Sequence, residues 1–225
     1  MIKFAYFFMI LMGVSSYGQF QSASIVSDRF VDYSHLVFGV DLRDKDLVGS
    51  IYINDKFSPA KLSNNNTIYN ANFDAYKGEI VIESDGKFFA VAKTFDNEIT
   101  FINQKKVYKV YNYNIEEKES LGFFTVLYKG DKISLLNKEI IKYFEEFEAK
   151  TGYEEYRPPT LKRMKDKLFI GYFDHSAIEV PNKKKDIFKL FSSKVKIMKS
   201  YAKDKKLNPK KEGDLLKLVI YYNSL

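Results

Sequence analysis

Cysteine and tryptophan are absent from the 225 residues, and histidine occurs only twice. The missing thiols exclude disulfides, zinc–thiolate centres and cysteine nucleophiles, and a lipid anchor on a cysteine goes with them. A chain without covalent staples must hold itself together by burial, and this one is long enough to build an adequate core. Arginine is scarce, with four against 32 lysines. Dedicated phosphate and nucleic-acid sites favour the bidentate guanidinium fork, so nucleic acid is not an expected partner. No GxSxG, HExxH, P-loop or GxGxxG pattern occurs, and neither a cofactor nor a metal is expected. Long apolar runs are missing too, except one near the start.

That run is Phe4 to Met12, preceded by Lys3 and followed by Ser16 and Gly18. A short apolar stretch behind one positive charge, with small residues three and one places before Gln19, reads as a cleaved export signal over 1–18. The expected location is therefore periplasmic or extracellular, with no membrane-spanning segment in the mature chain. Charge is unevenly distributed. Between Lys183 and Lys217 thirteen lysines face four acids, whereas residues 19–182 carry 22 Lys and Arg against 25 acids. A mildly acidic body thus ends in a basic tail.

From Ser50 to Ile141 short apolar alternations rich in β-branched and aromatic residues are separated by turn residues: SIYIN, TIYNANFDA, EIVIES, KFFAVAKTF, EITFIN, KVYKVYNYN, GFFTVLY and KISLLNKEII. Gly78, Asp85-Gly86, Asp96-Asn97 and Lys129-Gly130-Asp131 punctuate them at hairpin spacing. IIKYFEEFEAK (140–150) reads as a strand leaving the sheet near Glu145, YRPP (156–159) as a break, and KLFIGYF (167–173) as a returning strand. After Pro181 the apolar period lengthens to near four. Three short helices are expected: one capped by Asn182 and burying Ile187, Leu190 and Phe191, and one capped by Ser193 with Ile197, Met198, Tyr201 and Ala202 on one face. The third opens at Asn208-Pro209, with Leu215, Leu216, Val219 and Ile220 inward. The expected fold class is α+β. A curved antiparallel β-meander of about eight to nine strands (19–181) is followed by a small basic three-helix segment (182–225) packed on it.

IYINDKFSPAKL, YNANFDAYKGEIVIE, GFFTVLYKGDKISLLNK, KLFIGYF and the closing KDIFKLF…VKIMKSYAKDKKLNPKKEGDLLKLVIYYNSL together resemble a group of uncharacterised exported proteins of flavobacterium-like bacteria (Bacteroidota). The resemblance runs from about Gly49 to the end, and YKGDKISLL and YYNSL are its most specific parts. It implies an extracytoplasmic setting in a bacterium with two membranes. It implies no activity and carries over no functional residue.

Chemistry has few candidates. Pairing Phe73 with Ile80 and Ala71 with Ile82 puts Asp74 opposite Glu79, with β-carbons about 5 Å apart. Two such carboxylates can share a proton, hold a cation or act as a glycosidase pair. A shallow turn offers no desolvation, however, so both are expected to face water beside Lys77, with Glu83 about 13 Å further along. DKDLVGSIYIND (44–55) imitates a calcium loop through Asp44, Asp46, Gly49 and Asp55. Val48 stands at a ligand position, and the following residues read as strand instead of helix. Asp174-His175-Ser176 holds the residue types of a hydrolytic triad, but neighbours in extended chain point to opposite faces. The other histidine is His35, and Asn65-Asn66-Thr67 matches the glycosylation sequon, which in a host that does not glycosylate that way reads as a polar turn. The one surface singled out is the lysine face of the second helix, Lys196, Lys199 and Lys203, as a weak contact for an anionic surface.

These features imply an exported, non-catalytic binding or scaffolding protein of the cell envelope. The alternative is a carrier of an apolar ligand, held in the cavity of a curled sheet whose strands are bulky on both faces. An enzyme using Asp74 and Glu79 ranks last.

Overall fold

A computed structural model describes residues 30–32, 36–37, 40–41, 46–63, 67–115, 117–149 and 155–225. The export signal, Gln19, His35, Asp44 and Asn65-Asn66 lie outside these residues.

The strands, in chain order, are β1 (Phe30–Asp32), β2 (Leu36–Val37), β3 (Val40–Asp41), β4 (Ser58–Leu62), β5 (Ile68–Asp74), β6 (Glu79–Ser84), β7 (Lys87–Val91) and β8 (Glu98–Phe101). They continue with β9 (Lys106–Ile115), β10 (Lys118–Tyr128), β11 (Ile133–Lys138), β12 (Ile141–Phe144), β13 (Thr160–Arg163), β14 (Lys167–Tyr172) and β15 (Ala177–Glu179). Eleven of them form one antiparallel sheet in the order β1-β7-β6-β5-β4-β8-β9-β10-β11-β14-β15, while β12–β13 and β2–β3 are separate ribbons. The expected antiparallel sheet is present, with more strands than the eight or nine expected and without a simple meander. SPAKL, where Pro59 argues against a strand, is β4; its alternation of buried and exposed residues is strict. It inserts between β5 and β8, so the chain runs two meanders, β4 to β7 and β8 to β11.

Local chemistry explains the hairpins. Asp85 and Gly86 both take positive φ, 51° and 72°, between the paired Ser84 and Lys87. That is the two-residue turn whose twist matches flanking strands, and Gly tolerates its conformation without a Cβ clash.

The sheet curls. β7 and β8 are separated by β6, β5 and β4, yet the Asn97 side chain donates to Ala92 O at 2.7 Å. In a flat sheet four strand spacings, roughly 19 Å, would separate those ends. Curling folds the two meanders over one another and fills the space between them. Phe73, Phe101, Tyr108 and Phe123 are at most 2% exposed there, with Ile80, Ile82 and Ile99 around them. Ile141 and Leu161 of the β12–β13 ribbon close one end, with Ile51.

The second meander also buries its other side. β14–β15 turns back until His175 O accepts the N–H of Asn112 at 2.8 Å. The enclosed cluster is aromatic: Tyr111, Phe124 and Phe169, with Leu136 and Ala177.

The tail departs from three helices. Two helices exceed one turn, Val195–Asp204 and Glu212–Ser224. The first expected helix is a single turn, Lys184–Ile187, running into a 3-10 stretch broken at Ser192 (φ 47°, ψ −128°). The Glu212 helix starts later than Asn208-Pro209 suggested, and neither Asn182, Ser193 nor Asn208 is an N-cap. Its inner face is Leu215, Leu218 and Val219, all fully buried, whereas Ile220 is 44% and Ile197 42% exposed. Each of these isoleucines lies one residue, about 100° of helix rotation, from a buried neighbour (Val219 or Met198), which carries it off the buried face. The buried faces pack on Ile133, Leu135 and Ile170.

Asn223 ties the tail to the sheet. Its Oδ1 accepts the N–H groups of Lys132 (2.8 Å) and Ile133 (3.2 Å), and its Nδ2 donates to Ile133 O (2.9 Å). The stretches YKGDKISLL and YYNSL thus touch each other.

Candidate functional site

The carboxylate pair forms in the expected register, with Asp74 opposite Glu79 and Phe73 opposite Ile80. Its exposure is corrected. Asp74 is fully buried, and its Oδ1 accepts the N–H groups of Tyr76 and Lys77, each at 2.9 Å. This carboxylate caps the turn that follows it, as Asp does wherever free N–H groups bunch. Glu79 stays half-buried and lies 3.9 Å from Lys93. Asp74 Oδ1 is engaged by backbone N–H groups, and Glu79 lies beside a lysine.

The other motifs resolve into structure. Val48 bridges Thr160 of β13 and Tyr52 bridges Asp74 of β5, so the described part of the DKDLVGSIYIND stretch, 46–55, is a bent segment tied to two strands. No cluster of three or more His, Asp or Glu suited to a metal occurs among the described residues. Asp174 Oδ1 accepts both the N–H and the hydroxyl of Ser176 (3.0 and 2.6 Å). Those Ser176 bonds, side chain first, hold the exposed Asp174 carboxyl below its usual range. His175 takes φ 61° and stacks on Phe95 at 4.6 Å. The three residues are a tight turn.

Lys196, Lys199 and Lys203 are all exposed, while Met198 and Ala202 of the same helix are buried. None of the three lysines has an ion-pair partner among the described residues.

Two neighbouring residues that no sequence motif marks carry the most unusual chemistry. Lys138 ends β11 and Glu139 follows it, in an alternation that places Ile133, Leu135, Asn137 and Glu139 on one side and Ser134, Leu136 and Lys138 on the other. A polar residue continuing an apolar alternation is the one signal in the sequence, and it applies to both.

Glu139 is 4% exposed and sits at a hub. Its Oε2 takes hydrogen bonds from Lys106 Nζ (2.7 Å), Tyr108 Oη and Thr125 Oγ1 (3.3 Å), and its Oε1 takes one from Arg163 (2.8 Å). Arg163 also reaches Asp166, which accepts from Asn137. Burial alone would raise the Glu139 pKa. The bonds from Lys106 and Tyr108, the Lys106 charge and the Arg163 bond outweigh it and hold the carboxyl below its ordinary value. Burial, followed by the Glu139 charge, raises the Tyr108 phenol. The hub joins β9, β10, β11 and β13 with every buried side-chain polar atom satisfied, and it is structural.

No family model, curated protein or solved structure matches the chain.

Lys138 differs because it is half-buried and has no ion-pair partner among the described residues. Its ammonium lies over the rings of Tyr113 and Phe124, 4.2 and 4.5 Å from their centres, an arrangement that replaces part of the lost hydration. Burial first and Lys93 second lower its pKa to about 7. Gly122 keeps the seat open, since a Cβ there would stand 2.7 Å from Tyr113 Cε1 and 2.8 Å from the ammonium. A surface cavity of about 450 Å³ opens in front, lined by Tyr76, Tyr113, Ile140 and Phe169 with Lys138.

Proposed function

We propose that this chain is an exported, non-catalytic binding or scaffolding module of the bacterial cell envelope, contacting anionic lipid surfaces through its basic helical hairpin. The observation that carries the reading is the outward face of the Val195–Asp204 helix. Lys196, Lys199 and Lys203 are exposed there without ion-pair partners among the described residues, beside the exposed Ile197. Across the hairpin Tyr201 stacks on Tyr221 at 3.7 Å, and Ile220 and Leu225 are also exposed on the terminal segment.

Lysines beside exposed aliphatic and half-buried aromatic groups suit the boundary between headgroups and acyl chains. Each lysine close to an anionic leaflet contributes about 1 kcal/mol, so three give weak, reversible binding. The cores beneath supply a rigid platform. Among the described residues no helix is long and apolar enough to cross a membrane. The export signal read in 1–18 supports the envelope location. The resemblance to exported Bacteroidota proteins supports it as well.

Co-sedimentation with phosphatidylglycerol-containing vesicles across a salt series tests the reading. Binding at low salt is expected to fall as ionic strength approaches physiological, where the Debye length shrinks to about 8 Å. Replacing Lys196, Lys199 and Lys203 by Gln should abolish it without changing the melt, because solvated lysines contribute little to stability. Binding that ignores salt, or survives the triple substitution, refutes it. N-terminal mass analysis of native protein should find a chain beginning at Gln19, and an intact Met1 in the envelope fraction would refute export.

A further inference from the structure

Lys138 is a largely desolvated cation at the mouth of the small aromatic core, and no acid among the described residues pairs with it. The two acids beside its cavity are both engaged. Glu139 holds Lys106 and Arg163, and Glu179 pairs with Lys167 at 2.9 Å. The remaining charged groups at the opening, Lys77 and Lys142, are positive, as is Lys93, whose charge bears on Lys138 from the segment after β7. Ring faces attract an ammonium but leave its charge in place. The cavity in front, about 450 Å³, is in the range of small-molecule sites, which combine apolar walls with a few convergent polar groups.

We propose that this cavity binds a small organic monocarboxylate, its carboxylate on the Lys138 ammonium and its apolar body against Tyr113 and Phe169. One fixed ammonium calls for one negative charge, and the walls beside it are aromatic. The lining holds no arginine, so a phosphate would lack the fork that clamps it. The cavity opens on the Tyr113–Phe169 side of the second meander, opposite the side that carries the helices. It therefore stands or falls independently of the hairpin.

The full chain is titrated with phenylacetate, with 2-phenylethanol as its neutral analogue and with inorganic phosphate. Calorimetry reports affinity, and the Cε resonance of Lys138 reports its titration midpoint. Phenylacetate should saturate one site and move that midpoint up by at least one pH unit, because a nearby anion favours the charged form. Lys138→Met should weaken phenylacetate at least tenfold, and 2-phenylethanol should bind at least tenfold more weakly to the native chain. Should the methionine variant fail to fold, the movement of the midpoint in the native chain still decides. Absence of saturable binding, an unmoved midpoint, equal binding by Lys138→Met, or phosphate binding as tightly as phenylacetate would each overturn the proposal.

Discussion

Replacing Lys138 by Met should make the protein more stable at neutral pH, by an amount that shrinks as pH rises. The methionine keeps an unbranched side chain against Tyr113 and Phe124 and removes the buried charge. In the folded chain the lysine titrates at about 7 instead of 10.5. Below about pH 7 both folded and unfolded chains carry the proton, and the folded state bears the whole cost of burying it. Between about pH 7 and 10.5 the unfolded chain binds more protons than the folded one, so raising pH stabilises the native protein relative to the variant. Every pH unit that separates the folded and unfolded midpoints corresponds to about 1.4 kcal/mol, which sets a ceiling of about 5 kcal/mol. The ammonium opens on a solvent-filled cavity and gains about half a kcal/mol or more from each ring face, so about 2 kcal/mol is the working expectation. Urea unfolding of both chains between about pH 6.5 and 9.5 measures the difference, and the shared tyrosines largely cancel. A gap that does not narrow over this interval, or a native chain more stable than the variant near pH 7, would refute the reasoning.

Glu139→Gln leaves Lys106 and Arg163 beside an amide that cannot neutralise them, and should cost about 3 kcal/mol in the same unfolding assay. Because the Glu139 pKa is depressed on folding, its stabilisation is full above the ordinary carboxylate value and fades as pH falls through the folded one. The native chain should therefore lose stability in acid more steeply than the Gln variant, and parallel acid profiles would contradict the hub. In the terminal helix Leu218→Ala should cost about 2–5 kcal/mol, since Leu218 is fully buried. Ile220→Ala should change stability by less than about 1 kcal/mol. Thermal melts of the two variants decide, and equal losses would mean the helix is rotated from the face described.

The sequence by itself determined the class of structure, because class depends on local periodicity. Period-two runs such as EIVIES and KVYKVYNYN became β6 and β9, and Asp85-Gly86 became the turn its chemistry demands. The register that pairs Asp74 with Glu79 was also legible, since a one-residue slip would have turned Phe73 and Ile80 to water. Where strands and carboxylates come to lie was not. A hairpin viewed alone has one dry face and one wet face, which puts Asp74 in solvent. The chain 51–53 pairs with 73–75 along the edge of β5 beyond the end of β4, and Asp74 is buried in the assembled fold. Strand β4 escapes notice because Pro59 argues locally against a strand, and only the neighbouring β5 and β8 show that the position is tolerated. Glu139 and Lys138 are adjacent in sequence and chemically opposite in circumstance. One points to Lys106, Tyr108 and Arg163, drawn from strands far apart in the chain, and is fully satisfied. The other lies over the rings of Tyr113 and Phe124 and pairs with no acid among the described residues. That difference arises from the curl of the sheet and the return of β14–β15, contacts between residues too distant in sequence for any local pattern to encode.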